Sequence, residues 1–386
     1  MALKVGRGAS APPFIVMDVI AAANARAAAA SPADPRVIRM EVGQPATGAP
    51  RAAIAAAIAA MRAGDTLGYT ETLGLRPLRE RIAQLYTERY GLAVEPSRVA
   101  VTVGASGAFP LAFLAAFDPG DRIALASPAY PPYVNILEAL GLLPVMLETG
   151  PESRFQPTVG MLERLDPPPA GLIVASPCNP AGTMLHADEL RALGAWCVAH
   201  GVRLISDEIY HGLTYGAPAA TAAAIPGAVV INSFSKYWSM TGWRVGWMVL
   251  PEDLVRPVER IASNLFISAP AVSQVAALAA FEATEELEGH RARYAANRAL
   301  LLEALPRAGI ERIAPPEGAF YLYADIGHLT NDSAAFCRRM LEEIAIAATP
   351  GVDFDRARGS RTIRFSFCGS TEDVAEAAER IIRWLG

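Results

Sequence analysis

Short apolar runs alternate with segments of helical period through the middle of the chain. The runs are rich in Val, Ile and Leu, which is typical of buried strands. Segments such as HADELRALGAWCVAHG lie between them and repeat apolar residues at helical spacing. This alternation predicts a mostly parallel sheet with helices on both faces. The strand-like runs are RVAVTV (98–103), DRIALAS (121–127), GLIVAS (171–176), VRLIS (202–206), AVVINS (228–233) and VGWMVL (245–250).

The last part of the chain follows a different order. After Pro270 comes a long helical stretch, and then GAFYLYADI, a helix near AAFCRRMLEEIA, TIRFSFC and a last helix, EDVAEAAERIIRWL. This order predicts a smaller α+β unit with the N-terminal arm packed on it. We expect residues 1–45 to form the arm and part of the small domain, 46–285 the large domain, and 286–386 the small C-terminal domain.

Composition narrows the class of protein. A chain of 386 residues is long enough for two domains of ordinary size, or for one large domain with a smaller cap. Its composition, 52% hydrophobic and 19% charged, favours a well-buried α/β enzyme over a disordered protein. The net charge is −5 with both signs interspersed, so we do not expect nucleic acid as a partner. The scattered cysteines and histidines predict reduced thiols, a cytoplasmic location and no metal site. The cysteines are Cys178, Cys197, Cys337 and Cys368.

The N-terminal segment and two long uncharged stretches raise the question of a signal peptide or a membrane span. Asp18 interrupts the first apolar stretch and Arg26 follows closely, which favours an amphipathic helix over a secretory signal. Residues 99–117 and 261–281 are uncharged, but Pro and several small or polar residues break them. We therefore interpret both as buried core, and expect no membrane association.

Small and polar residues follow several strand-like runs, where parallel sheets bind ligands. Gly104-Ala105-Ser106 follows VAVTV and opens an apolar helix, so its backbone N–H groups could bind a phosphate, although a tight turn explains it equally well. Asn179 in PCNPAGT could be part of a turn only. Asp207 and Tyr210 share one side of a helical turn, where a helix cap with a packed tyrosine is the alternative.

The stretch SFSKYWSMTGWRVGW (233–247) holds one of only two lysines in a chain with 34 Lys plus Arg; the other is Lys4. Ser233, Ser235, Lys236 and Arg244 place hydroxyls, an amine and a guanidinium in a short span. A primary amine can condense with a carbonyl, whereas a guanidinium stays protonated and cannot. The scarcity of lysine therefore favours a chemical role for Lys236 over a solvated loop. A nicotinamide enzyme is not favoured, because G-x-G-x-x-G is absent and Asn232 stands four residues before the lysine.

Three motifs in this order carry a resemblance to a known family: Asn179-Pro-x-Gly, Asp207-x-x-Tyr210, and Ser233-x-x-Lys236 with Arg244. The chain resembles the class I/II aminotransferases, the aspartate aminotransferase-like, fold type I branch of pyridoxal 5′-phosphate (PLP) enzymes, from about residue 41 to 366. The resemblance implies an α/β fold in which helices sandwich a mostly parallel seven-stranded sheet in a large PLP-binding domain, beside a smaller α+β domain. It also implies a ping-pong transaminase that moves an amino group between an amino acid and a 2-oxo acid.

The resemblance implies a role for each cofactor-binding residue. Lys236 would form the Schiff base with PLP and move the substrate proton, Asp207 would pair with the ring nitrogen, and Tyr130 would stack on the ring. Asn179 and Tyr210 would bind the phenolic oxygen. Tyr130 also lies in a Pro-rich turn, where mere packing is the alternative. The phosphate would be bound by the turn residues Gly104, Ala105 and Ser106, by Ser233 and by Arg244.

The resemblance extends to the substrate and to a second subunit. Arg364 in TIRFSF would bind the α-carboxylate through two parallel hydrogen bonds, with Gly43 and Asn179 beside it, although a surface strand residue is the alternative. Tyr69 would reach the phosphate of the neighbouring subunit, which implies a homodimer. Ser268 is a further candidate for that contact.

Two observations predict the side chain of the substrate: one residue differs from the pattern of aspartate-using relatives, and several apolar residues are candidates for the pocket. Ser106 stands where one subgroup of aspartate-using relatives has a lysine that binds the distal carboxylate, so aspartate is disfavoured. A neutral, apolar or aromatic amino acid is predicted instead. This rests on Phe14, Ile15, Tyr130, Phe266 and Phe320.

Three alternatives remain open. They are a PLP-dependent C–S β-lyase on the same scaffold, an aspartate aminotransferase, and a non-catalytic PLP-binding regulatory protein. The last is disfavoured because only about forty residues precede EVGQP and no basic patch is present.

Overall fold

A seven-stranded sheet organises residues 3–386, the part of the chain that the computed structural model describes. The strands are β1 (Ile38–Arg39), β2 (Val99–Thr102), β3 (Arg122–Ser127), β4 (Leu143–Glu148), β5 (Gly171–Ala175), β6 (Arg203–Asp207), β7 (Val229–Ser233), β8 (Gly246–Val249), β9 (Arg312–Ile313), β10 (Tyr321–Asp325), β11 (Ile346–Ala347), β12 (Thr349–Pro350) and β13 (Thr362–Ser366). The helices are α1 (Ile15–Ala29), α2 (Arg51–Ala63), α3 (Arg76–Tyr90), α4 (Gly104–Ala116), α5 (Pro131–Ala139), α6 (Val159–Leu162), α7 (Ala187–His200), α8 (Glu252–Leu265), α9 (Ala271–Ala280), α10 (Thr284–Arg307), α11 (Ser333–Ile344) and α12 (Thr371–Leu385).

The strands of the large sheet follow the order β2-β8-β7-β6-β5-β3-β4. β8 runs antiparallel to both of its neighbours, and the other neighbouring pairs are parallel. The predicted mostly parallel seven-stranded sheet is therefore confirmed. Six of the strands coincide with the apolar runs of the sequence.

The strand without a matching run is β4, at one edge of the sheet. Its residues alternate irregularly between buried and exposed, and Leu143 and Met146 are more than two-fifths exposed. Pro144 lies inside it, which an edge strand tolerates because one side of its backbone has no sheet partner. The half-exposed pattern explains why no continuous apolar run marks this strand.

Alternate residues of the central strands fill two separate cores. Ile173 and Ile205 pack on one face with Phe109 of α4, whereas Val174 and Leu204 pack on the other face. A sheet that is buried on both faces needs apolar side chains at successive positions, which accounts for the continuous runs in the sequence.

The C-terminal part forms a second, antiparallel sheet in the order β12-β13-β10-β9. The N-terminal segment joins this part, since β1 pairs in parallel with β11. α10 packs along α12 beside this sheet. Within residues 3–386, none of the helices combines the length and the apolar character needed to cross a bilayer.

Gly171 begins the β5 strand and allows close packing beneath it. A Cβ at this position would lie 2.4 Å from Phe117 Cζ and 3.2 Å from Ile123 Cδ1. We expect Gly171→Ala to lower the free energy of unfolding by about 1–3 kcal/mol, as overpacked cores do. Urea unfolding followed by circular dichroism measures this. The matched control is Gly160→Ala in α6, where a Cβ meets nothing within 4 Å; equal losses in the two variants would contradict the packing argument.

Candidate active site

A cavity of about 690 Å³ opens beyond the carboxyl ends of β2, β5, β6 and β7. It lies where ligands bind in parallel sheets. Ten of the predicted site residues line it: Gly43, Ala105, Ser106, Tyr130, Asn179, Asp207, Tyr210, Lys236, Arg244 and Arg364.

One end of the cavity suits an anion. Gly104 begins α4 with φ +66°, and a Cβ there would lie 2.6 Å from Arg244 Nη2. The glycine therefore lets the guanidinium approach the N-terminus of the helix. Arg244 Nη2 donates to Ser106 Oγ at 3.3 Å, and Nη1 donates to the Thr241 carbonyl at 2.9 Å. A fixed guanidinium beside free helix N–H groups is a site for a phosphate.

The amine of Lys236 lies in the cavity close to the N-terminal segment. Its Nζ donates to the Gly43 carbonyl at 2.5 Å. Burial lowers the pKa of Lys236 to about 8, and the positive charges of Arg364 and Arg244 act in the same direction. At pH 7 roughly a tenth of the amine is therefore neutral, far more than in an ordinary lysine, and the neutral form is the one that a nucleophile or a proton acceptor requires.

The carboxylate of Asp207 ends β6 and is 4% exposed. Oδ1 accepts from Ile209 N at 3.1 Å, and Oδ2 accepts a hydrogen bond from the Tyr133 hydroxyl. Burial raises the pKa of Asp207 to about 6, against the opposing effect of these hydrogen bonds. Because both donors are neutral, the site favours a cationic ligand group that would stabilise the ionised carboxylate.

Arg364 lies on β13 and is 3% exposed. Nη1 donates to Asn179 Oδ1 at 2.7 Å, and Nη2 donates to the Thr349 hydroxyl at 3.0 Å. The guanidinium carbon lies 4.4 Å from the ring centroid of Tyr321 and 4.7 Å from that of Phe354. Nε is buried and has no hydrogen-bond partner among residues 3–386. A guanidinium packed against two rings, with a buried donor that lacks a partner, suits a carboxylate ligand.

Several predicted residues lie outside the cavity wall. Ser233 is fully buried and its hydroxyl donates to Ser235 Oγ at 2.9 Å; Ser235, rather than Ser233, lines the cavity. Gly104 does not line the cavity; its backbone conformation at the start of α4 lets the Arg244 guanidinium approach the helix. Tyr69 is 84% exposed, and Ser268 lies next to it, since Ser268 Oγ accepts from Thr70 N at 3.3 Å.

The apolar end of the cavity differs from the predicted set. Phe14 and Tyr130 line it and meet edge to face, with ring centroids 5.7 Å apart. Ile15, Phe266 and Phe320 do not line it, and Phe320 packs behind Tyr210 instead. The apolar wall is completed by Val16, Met17, Ile20 and Ile136.

Two tyrosines of the site escaped the sequence analysis. Tyr133, three residues after Tyr130, binds Asp207, and Tyr321 donates to or accepts from Tyr210 Oη at 2.7 Å. Tyr321 also explains Gly43, where a Cβ would lie 2.1 Å from the Tyr321 hydroxyl. The pair of tyrosines in SPAYPPY is a usable signal for Tyr133, whereas Tyr321 sits in an apolar strand pattern without one.

The donor set of the cavity fits PLP. It provides an anion site at Arg244 and the α4 N-terminus, a buried carboxylate at Asp207 and a desolvated amine at Lys236. These match a phosphate, a ring nitrogen and an aldehyde respectively.

Comparison with known proteins gives the same result. The family "Aminotransferase class I and II" matches residues 35–381. The chain is 50% identical to the valine–pyruvate aminotransferase of Mycobacterium tuberculosis over 99% of this chain and 98% of that protein. A crystal structure of an aminotransferase from M. tuberculosis superposes with a TM-score of 0.96, at 49% identity over 100% of this chain and 99% of that one. The aspartate aminotransferase of Thermus thermophilus with maleate gives 0.91 at 31% identity, over 99% and 100%.

The resemblance carried by the three motifs is thereby confirmed. The chain belongs to the class I and II aminotransferases, and it is a PLP-dependent transaminase that moves amino groups between amino acids and 2-oxo acids.

Proposed function

We propose that the preferred amino donor has a neutral, apolar side chain and that the acceptor is a small 2-oxo acid. The observation that carries this proposal is the apolar end of the cavity, formed by Val16, Met17, Ile20 and Ile136. Among the described lining residues the cationic ones are Lys236, Arg244 and Arg364, and each has a role at the cofactor or the α-carboxylate. The relative named as a valine–pyruvate aminotransferase agrees with this substrate class.

We propose the following residues as the ones that hold PLP. Lys236 would bind it covalently, Asp207 would pair with the ring nitrogen, and Tyr130 would pack on the ring. The remaining contacts are phosphate contacts from Gly104, Ala105, Ser106, Arg244 and the Ser233–Ser235 pair, and phenolic-oxygen contacts from Asn179 and Tyr210. When bound, PLP supplies an electron sink next to the substrate Cα.

The chain's own residues account for binding and proton transfer. Arg364 would bind the α-carboxylate with Asn179, and the rings of Tyr321 and Phe354 pack against the guanidinium and hold its position. Lys236 would take the proton from the substrate Cα and pass it to the carbon that PLP carries as its aldehyde, which a pKa of about 8 favours. The Gly43 carbonyl orients the amine of Lys236 between these events.

A homodimer is the assembly that we propose, with Tyr69 completing the phosphate site of the neighbouring subunit. Tyr69 is 84% exposed, and exposed apolar residues lie near its neighbour Ser268 in the sequence: Leu265, Phe266 and Ile267. A solvent-exposed aromatic beside an exposed apolar patch is typical of a subunit interface.

The division of the chain and its location are also proposals. We retain residues 46–285 as the large domain and residues 286–386, with the arm at 1–45, as the small one, since β1 pairs with β11 and α10 begins at Thr284. The buried free cysteines support a reducing, cytoplasmic location.

The two lysines of the chain allow a direct test of the Lys236 amine. In cofactor-free protein, labelling of Lys236 by a small amine-specific reagent is expected to rise with pH and to reach half its maximum near pH 8, because the lowered pKa makes the amine neutral earlier than in an ordinary lysine. Mass spectrometry of the peptides reads Lys236 and Lys4 separately. PLP should protect Lys236 alone, and equal protection of both lysines would contradict the assignment.

The substrate class is tested with absorption spectra and a panel of donors. Wild-type protein with PLP should lose its visible band on borohydride reduction and carry the adduct on Lys236, whereas Lys236→Ala should carry none.

Valine or leucine with pyruvate should turn over at least about tenfold faster than aspartate, because among the described residues that line the cavity no further cationic side chain remains for a distal carboxylate. A preference for aspartate would overturn the proposed donor. Pyruvate and ammonia released from a cysteine S-conjugate without an added oxo acid would support the β-lyase instead.

The shared site is tested by mixing two defective chains. Tyr69→Ala should raise the dissociation constant for PLP about 10- to 100-fold, as loss of a hydrogen bond to a charged group does. At limiting PLP, chains carrying Lys236→Ala coexpressed with chains carrying Tyr69→Ala should recover activity, because one site of each mixed dimer keeps both residues. The control is coexpression of two differently tagged Lys236→Ala chains. No recovery in mixed dimers isolated by two tags would exclude a contribution of Tyr69 across the interface.

A further inference from the structure

The first turn of α1 has a cap that comes from the far end of the sequence. Phe14, at the N-cap position, provides no side-chain hydrogen bond to the helix. Asp353 provides it instead: Oδ1 accepts from Ile15 N at 2.9 Å and Oδ2 accepts from Val16 N at 3.3 Å. Asp353 is 7% exposed. A carboxylate on free N–H groups at the positive end of the helix dipole stabilises both the turn and its position.

The same turn of α1 forms the apolar end of the cavity. Phe14, Val16, Met17 and Ile20 line it from one side. α1 is otherwise lightly attached, because only Val16 and Ala23 of its fifteen residues are buried and Met17 is 56% exposed. The cap is therefore one of the contacts that fix these side chains over the cavity, together with the hydrogen bond that Asn24 Oδ1 accepts from Arg39 Nη1 at 2.7 Å.

The segment that holds the cap also contacts the carboxylate end. Asp353 ends the short helical turn Gly351–Asp353, which follows β12 directly. The ring of the next residue, Phe354, lies against the Arg364 guanidinium, and the Phe354 carbonyl accepts from Ala129 N at 3.0 Å, beside Tyr130. Two consecutive residues thus connect α1, the aromatic at the ring site and the arginine for the α-carboxylate.

We propose that Asp353 is a positioning residue for substrate selection. By fixing the first turn of α1, it holds the apolar wall at a set distance from Arg364 and so favours donors whose neutral side chain is large enough to fill that distance. Asp353 touches neither the substrate nor the cofactor. The inference rests on the proposed function, because it concerns the side-chain end of the same site.

The test compares valine with alanine as donors. Alanine has only a methyl side chain and offers α1 less surface than valine does, so alanine reports mainly on the carboxylate and cofactor ends of the site. In Asp353→Ala, kcat/KM for valine should fall about 3- to 30-fold, the range expected for the loss of a helix N-cap, mainly through a higher KM. The value for alanine should change less than about twofold. Asp353→Asn, which keeps one acceptor and the shape of the side chain, should lie between wild type and Asp353→Ala.

A second readout does not depend on activity. Hydrogen exchange of the peptide that covers residues 14–20 should become faster by about tenfold or more in Asp353→Ala, because the two capped N–H groups lose their acceptor. The matched control is Asp332→Ala, which removes the carboxylate that caps α11 through Ala335 N at 2.9 Å. It should leave the ratio of valine to alanine and the exchange of residues 14–20 unchanged.

The outcomes separate the two proposals. Equal losses for valine and alanine, or an unchanged valine value with faster exchange, would overturn the selection role of Asp353. If Asp353→Ala does not fold, Asp353→Asn decides in the same way. Wild-type protein that turns over aspartate well and valine poorly would overturn the proposed donor class, whereas the exchange experiment would still show whether Asp353 holds α1.

Discussion

The buried guanidinium of Arg364 joins the parts of the chain that form the site. It lies on β13 of the small sheet and donates to Asn179, which follows β5 of the large sheet, and to the hydroxyl of Thr349 on β12. It also donates to the carbonyl of Glu41, just after β1. A hydrogen bond to a charged group typically contributes about 1.5–3 kcal/mol. The relative position of these segments is therefore coupled to the group that we propose for the substrate carboxylate.

The buried ionisable groups of the cavity favour a ligand with a specific arrangement of charges. Burial raises the pKa of Asp207 and lowers that of Lys236, so each group is driven toward its neutral form. One ligand could provide a partner for each side chain: a phosphate near Arg244, a cationic ring nitrogen near Asp207 and a carbonyl carbon near Lys236. The cavity thus selects a ligand by where its charges lie, and PLP has that arrangement.

The sequence predicts the strands and the motifs formed by neighbouring residues, but it does not predict contacts between residues that are far apart along the chain. Six strands of the large sheet are visible because burial on both faces makes their residues apolar, and the residues that follow those strands include most of the cavity wall. β4 escapes because it is an edge strand with a mixed pattern. Tyr321 and Asp353 carry no local motif: each contributes through a partner brought close by folding, 111 residues away for Tyr321 and Tyr210 and 338 residues away for Asp353 and Ile15. The sequence predicts apolar residues at the side-chain end of the cavity, and apolar residues do line it, but at partly different positions: Phe320 packs behind Tyr210.

We propose different parts of the site for the α-carboxylate, which all amino donors share, and for the side chain, in which they differ. The end that we propose for the α-carboxylate is built from strands and buried aromatics: Arg364 packs against Tyr321 and Phe354, and its hydrogen-bond partners come from three segments. One wall of the end that we propose for the side chain is α1, a helix with few buried residues whose first turn is capped by one carboxylate. We therefore expect substitutions at the exposed positions of α1 to cost little stability, and the residues that we propose for the cofactor lie elsewhere. A fold built in this way can change its donor by changing one lightly packed wall, which is consistent with relatives of this chain that act on valine and on aspartate.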